Sequence, residues 1–274
     1  MKLTLIRHGI THGNKYGLYY GATDLPLLEE GIAELRQRKL THIYPTAPIY
    51  YTSPLQRTQQ TLREVYGDVP FTVVEGFREK NRLAQKGQVV FAGSSLMEMF
   101  PVEEWAGELG EGAPKLYNRG VGGYRTEDLL PIVDLCVTDL APSKVFINIG
   151  TNDLSDPSRT IGEMIANYEQ ILAKIEAALP GVRIYLMAYY PINYDAAAEH
   201  MKPCLLVRTN EKIAAANEQV RLLARRRGHT YIDVNDPLKD DQGRLKAEYT
   251  IEGMHIRPEG YRAIWPEVAK AILR

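Results

Sequence analysis

From Gly87 to the end of the chain, short apolar runs alternate with stretches whose apolar positions recur every three or four residues. That is the pattern of a parallel sheet covered on both faces by helices. The runs predict strands at Gln88-Val89-Val90-Phe91-Ala92, Lys115-Leu116-Tyr117, Lys144 to Ile149, Val182 to Ala188 and His229 to Val234. Helices are predicted from Thr126-Glu127-Asp128 through Leu135, from Ser158 to Leu179 and from Asn210 to Arg227, with the last one starting near Pro258. The third ends Arg225-Arg226-Arg227-Gly228, where a glycine suits a C-cap and the cations suit the negative end of the helix.

Residues 1–81 carry a second, shorter α/β pattern. It comprises a strand at Leu3-Ile6, a helix through Leu28, Ile32 and Leu35, a strand at Ile49-Tyr51, a helix from Ser53 to Tyr66 and a strand at Phe71-Val74. The polar stretch Glu79 to Gly87 divides the two patterns, giving expected domains over 1–81 and 82–274. So small a first piece buries a low fraction of its surface, which favours its docking on the larger one.

The composition narrows the function. Of 274 residues, 33 are basic and 34 acidic, for a formal charge of -1, so no long-range field attracts nucleic acid or an anionic membrane. The expected partner is a small molecule, with no nucleic acid and no membrane insertion, and homo-oligomerisation is left open. The apolar run at the start is cut short by Arg7 and His8, and the two cysteines, Cys136 and Cys204, lie in no paired spacing. A reducing cytoplasmic location is the expectation, with both cysteines buried as small apolar residues and no metal or organic cofactor required.

Four segments bear chemistry: Gly93-Ser94-Ser95-Leu96, Asn118 to Gly123, Gly150-Thr151-Asn152-Asp153 and Glu252-Gly253-Met254-His255. Each follows a predicted strand or opens the last helix, and open α/β sheets place their sites at the carboxyl edge. Ser95 is a candidate nucleophile, though Ser94 and Ser95 also suit a helix cap. Asn118 to Gly123 reads as a glycine-rich turn whose Gly123 N–H can approach a ligand, or as a plain connection. The Asn152 amide can donate to an oxyanion, and Asp153 reads as structural. Three positions before His255 stands Glu252, so one turn can hold base and acid together, whereas an isolated histidine there would be a capping or surface residue.

In kind and in order, these four blocks resemble the SGNH hydrolase family, also called GDSL esterases, over about Gly87 to Arg274. The resemblance implies a three-layer α/β/α fold with a parallel sheet, Ser95 as nucleophile, His255 as base, and an oxyanion hole made by Ser95 N–H, Gly123 N–H and the Asn152 side chain. Asn118-Arg119-Gly120 with Ile149 to Asp153 is most similar to bacterial relatives of platelet-activating-factor acetylhydrolases, which implies short acyl groups such as acetyl. Two positions depart from the family. Ser94 replaces the aspartate of the eponymous motif, at little cost. Glu252 replaces the aspartate that orients the base, and its added methylene shifts the carboxylate by about 1.5 Å. Either the turn adjusts, or the carboxylate turns away and a backbone carbonyl orients His255.

Leu5-Ile6-Arg7-His8-Gly9, with Asn14, Asp24 to Leu27 and Thr52 to Thr58, resembles the front half of the histidine phosphatase superfamily, which includes phosphoglycerate mutases. The resemblance implies that His8 accepts a phosphoryl group held by Arg7, Asn14 and Arg57. It stops near Asn81, and no later segment offers the second histidine or the proton donor. Three readings stay open for this piece: a structural remnant, a phosphate-binding or regulatory module, and a working phosphatase. For the whole chain, a serine esterase is set against a weakly catalytic protein that binds a phosphorylated ligand through Arg7, His8 and Arg57.

Overall fold

A computed structural model describes residues 4–16, 24–74 and 87–274. The chain divides into two compact units, Met1–Leu83 and Ala84–Arg274.

In the first unit, helices α1 (His12–Lys15), α2 (Glu29–Thr41) and α3 (Gln56–Tyr66) accompany a two-stranded parallel sheet of β1 (Tyr51–Thr52) and β2 (Thr72–Val73). Leu27, Leu35 and Val65 form its small core. The expected strand at Leu3-Ile6 does not form over its described part. Thr4 to Ile10 is irregular and Leu5 is 87% exposed, and among the described residues β1 is paired only with β2. Leu3 and most of the expected boundary, Glu79 to Lys86, lie outside the described residues.

The second unit is built on five parallel strands: β3 (Val89–Gly93), β4 (Leu116–Gly120), β5 (Lys144–Asn148), β6 (Arg183–Met187) and β7 (Thr230–Ile232), in the order β4-β3-β5-β6-β7. The apolar runs are continuous because both faces are covered. On one face Phe91, Phe146 and Tyr185 sit in register across three strands and stack, with ring centroids 4.8 and 4.5 Å apart. Phe100 lies edge-on to Phe91 and stacks on Tyr261 of α10 (Pro258–Leu273), whose Ile264, Trp265, Val268 and Ile272 complete that layer. Burying one such aromatic ring stabilises the fold by about 1.5–3 kcal/mol. The other face is covered by α7 (Ile161–Ala178) and α9 (Asn210–Arg227), and the Tyr168 hydroxyl donates to Ile147 O at 3.2 Å. The result is the α/β/α sandwich that the strand pattern and the family resemblance imply.

Helix boundaries follow local chemistry. Thr160 and Glu163 cap α7 reciprocally, and Gly228, at φ 74°, closes α9 after its three arginines. The expected helix from Thr126 to Leu135 is broken: α5 (Thr126–Leu129) and α6 (Val133–Cys136) are separated by a tight turn over Leu130–Ile132. Pro131 lies in that turn and has no N–H for a helical ladder.

Register determines where the site lies. Gly93, at the end of β3, is level with Gly120 on β4 and Asn148 on β5, so three loops leave the sheet edge side by side. Those loops carry Ser95, Gly123 and Asn152.

Candidate active site

Ser95 opens the short helix α4 (Ser95–Glu98), and its Oγ lies 2.9 Å from His255 Nε2. His255 Nδ1 lies 2.7 Å from Glu252 Oε1, and the same oxygen accepts the His255 backbone N–H at 3.1 Å. Glu252 is therefore in place: the turn adjusts to the longer side chain, and the carboxylate orients the ring directly. The side chains of Glu252 and His255 are 12% and 25% exposed, so the pair is sheltered while the serine face stays reachable.

The turn is held on several sides. Thr250 Oγ1 accepts Gly253 N–H at 2.8 Å and donates to His255 O at 3.1 Å, and Asn193 N–H donates to Gly253 O at 2.8 Å. Gly253 has φ 101°, and a Cβ there would stand 2.7 Å from Ala197 Cβ and 2.8 Å from Asn193 O. Both backbone conformation and space therefore call for glycine. Tyr261 ties the nucleophile to the last helix, its hydroxyl donating to Leu96 O at 2.6 Å.

The second block differs from its expected form. Asn118 to Gly120 belongs to β4, and the turn is confined to Gly122-Gly123. Asn118 Nδ2 donates to Met97 O at 2.7 Å and Phe100 O at 2.9 Å, collecting carbonyls around the end of α4, while its Oδ1 accepts Gly120 N–H at 2.9 Å. Gly120 lets α4 approach the sheet, since a Cβ would stand 2.1 Å from Glu98 N. The glycine turn runs beside the nucleophile, a Cβ on Gly122 falling 4.0 Å from Ser95 Cβ. Among the described residues, neither the Ser95 N–H nor the Gly123 N–H has an acceptor.

Asn152 completes the arc. Its Nδ2 donates to Tyr124 O at 2.9 Å, which fixes the amide against the Gly123 turn and leaves the second hydrogen for another acceptor. Asp153 is buried and accepts from Thr126 N at 3.0 Å and Thr126 Oγ1 at 2.7 Å; burial raises its pKa against those bonds. It anchors the loop, as expected. Ser94 is fully buried, 3.4 Å from Thr151 Oγ1. The structure thus brings Ser95, His255 and Glu252 into one hydrogen-bonded chain, with Gly123 and Asn152 on adjoining turns.

Sequence reasoning missed Arg208. It ends α8 (Lys202–Val207), is 2% exposed, and donates from Nη2 to Asn152 Oδ1 at 2.8 Å and from Nε to Ser155 Oγ at 2.7 Å. A single arginine closing Leu205-Leu206-Val207 is its only trace in the sequence. Cys204 also departs from expectation. It is half-buried, with Sγ 3.2 Å from Ser155 Oγ, whereas Cys136 is fully buried and its thiol is pushed up to about 12 by desolvation.

In the first unit, Asn14 Oδ1 accepts the Thr11 N–H at 3.1 Å in a capping box. His8 Nδ1 lies 2.7 Å from Gly9 O, and Arg7 is exposed. Gly9 N–H donates to Thr61 Oγ1 at 3.0 Å, one turn along α3 from the buried Arg57, so His8 and Arg57 lie on adjoining segments. Among the described residues no cluster of three or more His, Cys, Asp or Glu side chains is arranged to hold a metal ion, and no helix is long and apolar enough to cross a membrane.

Comparison with known proteins agrees with both halves. The histidine phosphatase superfamily (branch 1) matches residues 3–120. That match passes the limit near Asn81 and runs over β3 and β4, which pair within the five-stranded sheet. The 2,3-bisphosphoglycerate-dependent phosphoglycerate mutases of Rhizobium etli (32% identical over 78 residues) and Bradyrhizobium diazoefficiens (39% over 69) match 28% and 24% of this chain. The chain spans only 37% and 33% of those relatives.

Among solved structures, a Streptococcus pneumonia protein described as a "putative platelet activating factor" is 30% identical, with TM-score 0.61 over 68% of this chain and 84% of that one. An acetylxylan esterase from Geobacillus stearothermophilus, solved as a catalytic mutant, shares the fold at 13% identity, with TM-score 0.54 over 68% and 94% of the two chains. The family model for the GDSL-like Lipase/Acylhydrolase family matches residues 91–263, which contain the sheet from Phe91 onward, all four chemical blocks and the start of the last helix. The chain belongs to the GDSL-like lipase/acylhydrolase family.

Proposed function

We propose that this protein is a serine esterase that hydrolyses short-chain carboxylic esters, acetyl esters first among them, through an acyl-enzyme. The observation that carries the reading is the unbroken chain Ser95 Oγ, His255 imidazole, Glu252 carboxylate, at 2.9 and 2.7 Å. Ser95 Oγ attacks the ester carbonyl as His255 Nε2 takes its proton, and Glu252 stabilises the imidazolium through Nδ1–H. The carbonyl oxygen becomes an oxyanion that accepts from Ser95 N–H, Gly123 N–H and the second Asn152 Nδ2 hydrogen. Collapse breaks the ester C–O bond, and His255 returns the proton to the departing alcohol. Water then attacks the acyl-serine with His255 again as base, releasing the acid and restoring Ser95.

Preference for a short acyl group rests on the resemblance of the Asn118-Arg119-Gly120 and Ile149 to Asp153 blocks to acetylhydrolase relatives, and the 30% identical neighbour is named for a platelet activating factor. The test is a series of p-nitrophenyl esters from acetate to octanoate with the purified protein. Highest kcat/KM on acetate, lost in Ser95→Ala, is expected. No hydrolysis by wild type, or equal hydrolysis by Ser95→Ala, contradicts the reading.

A second reading concerns the first unit. The bond from Gly9, next to His8, to Thr61, one turn along α3 from Arg57, supports a reading in which the two segments share a phosphate. Calorimetry with inorganic phosphate tests it: heat that disappears in Arg57→Ala supports binding, and no heat from wild type removes it.

A further inference from the structure

Arg208 is a costly residue to place where it stands. Its guanidinium is almost fully buried, yet among the described residues no carboxylate lies within ion-pair distance. Burial lowers its pKa to about 10, which Cys204 and Asp153 partly oppose, so the group is still a cation at neutral pH. Its hydrogen bonds go instead to neutral acceptors in or just beyond two catalytic blocks: Asn152 Oδ1 and Ser155 Oγ on the loop after β5, and Met254 Sδ beside His255.

The bond to Asn152 has a chemical consequence. An amide whose oxygen accepts from a cation carries more positive charge on its nitrogen, and its donor hydrogens strengthen. That bond and the one from Nδ2 to Tyr124 O also exclude the flipped amide, in which oxygen instead of N–H would face the substrate. We propose that Arg208 is a positioning residue for ester hydrolysis: it locks the Asn152 amide with its N–H toward the oxyanion and places a fixed positive charge behind it.

This rests on the oxyanion role of Asn152 in the proposed function, and a double-mutant cycle separates the two. Wild type, Arg208→Gln, Asn152→Ala and the double variant are compared on p-nitrophenyl acetate, with melting temperature recorded for each. Arg208→Gln is expected to lower kcat by ~10- to 100-fold, with KM moving less than about 2-fold, as for loss of part of an oxyanion hole. In the Asn152→Ala background the same change should cost less than about 3-fold, because its route to the substrate has been removed. An equal factor in both backgrounds, or wild-type kcat in Arg208→Gln, overturns the proposal. Wild-type kcat in Asn152→Ala instead overturns the oxyanion reading itself.

If Arg208→Gln does not fold, the cycle is run with Arg208→Lys, which keeps the cation but not the fork. Its kcat should fall between that of wild type and that of Asn152→Ala. A lysine variant with wild-type kcat, or one whose loss is undiminished beside Asn152→Ala, overturns the proposal.

Discussion

At the scale of single residues, the site depends on one carboxylate oxygen. Glu252 Oε1 holds both the Nδ1 and the backbone N–H of His255, so ring orientation and turn geometry are fixed together. Glu252→Gln would present an amide to Nδ1 and favour the wrong tautomer. A fall in kcat of roughly 10²- to 10⁴-fold with little change in KM is expected, measured on p-nitrophenyl acetate. Activity within about 2-fold of wild type would show that the backbone suffices to orient His255. Ser95, Glu252 and His255 were legible because each stands in a short block whose parts lie within a few residues of one another. Arg208 was not, since its partners lie 46 to 56 positions away and only folding brings them to it. The resemblance left open what Glu252 does, because one methylene is resolved by the geometry of a turn.

At the scale of elements, the parallel strands could be read from apolar runs because burial on both faces removes any need for alternation. The strand expected at Leu3-Ile6 looked equivalent, yet pairing depends on a neighbour in register, and among the described residues Thr4 to Ile6 has none. Pro131 did announce the break between α5 and α6, and the helical spacing of Leu129 and Leu130 from Val133 across it concealed the signal. Two predictions belong here. Gly253→Ala combines a φ of 101° with a 2.7 Å approach to Ala197, so it should displace the Glu252–His255 turn. Loss of more than about 10-fold in kcat together with a lower melting temperature is expected; unchanged kinetics would show that the turn has room to relax. The second concerns Glu176, which joins α7 to Arg227 and His229 beyond the end of α9. The Arg227 hydrogen bond holds its pKa below the ordinary 4.5 against a smaller effect of burial, and His229 adds to the lowering. A lowered folded pKa gives stability that is present above the unfolded value and lost as pH falls through the folded one. Glu176→Gln should therefore melt below wild type at pH 7, with the gap closing between about pH 5 and pH 3. A gap that does not change with pH would contradict the assignment.

At the scale of the whole molecule, the chain joins an esterase unit, complete in its four blocks, to a segment matching a third of a phosphoglycerate mutase. The composition change near residue 81 and the two family resemblances made this division legible; the function of the first segment was not, since half of a phosphatase site does not define a reaction. If the esterase unit holds all of its own chemistry, a fragment of residues 84–274 should hydrolyse p-nitrophenyl acetate with kcat within about 3-fold of the full chain. A folded but inactive fragment would mean that the first unit takes part. The most direct test of the serine mechanism is labelling by a fluorophosphonate, with peptide mass mapping and activity measurement on the same samples. Label on Ser95 alone, with esterase activity falling in proportion and no labelling of Ser95→Ala, is the predicted result. Label on another residue, or full activity with Ser95 fully labelled, would contradict it.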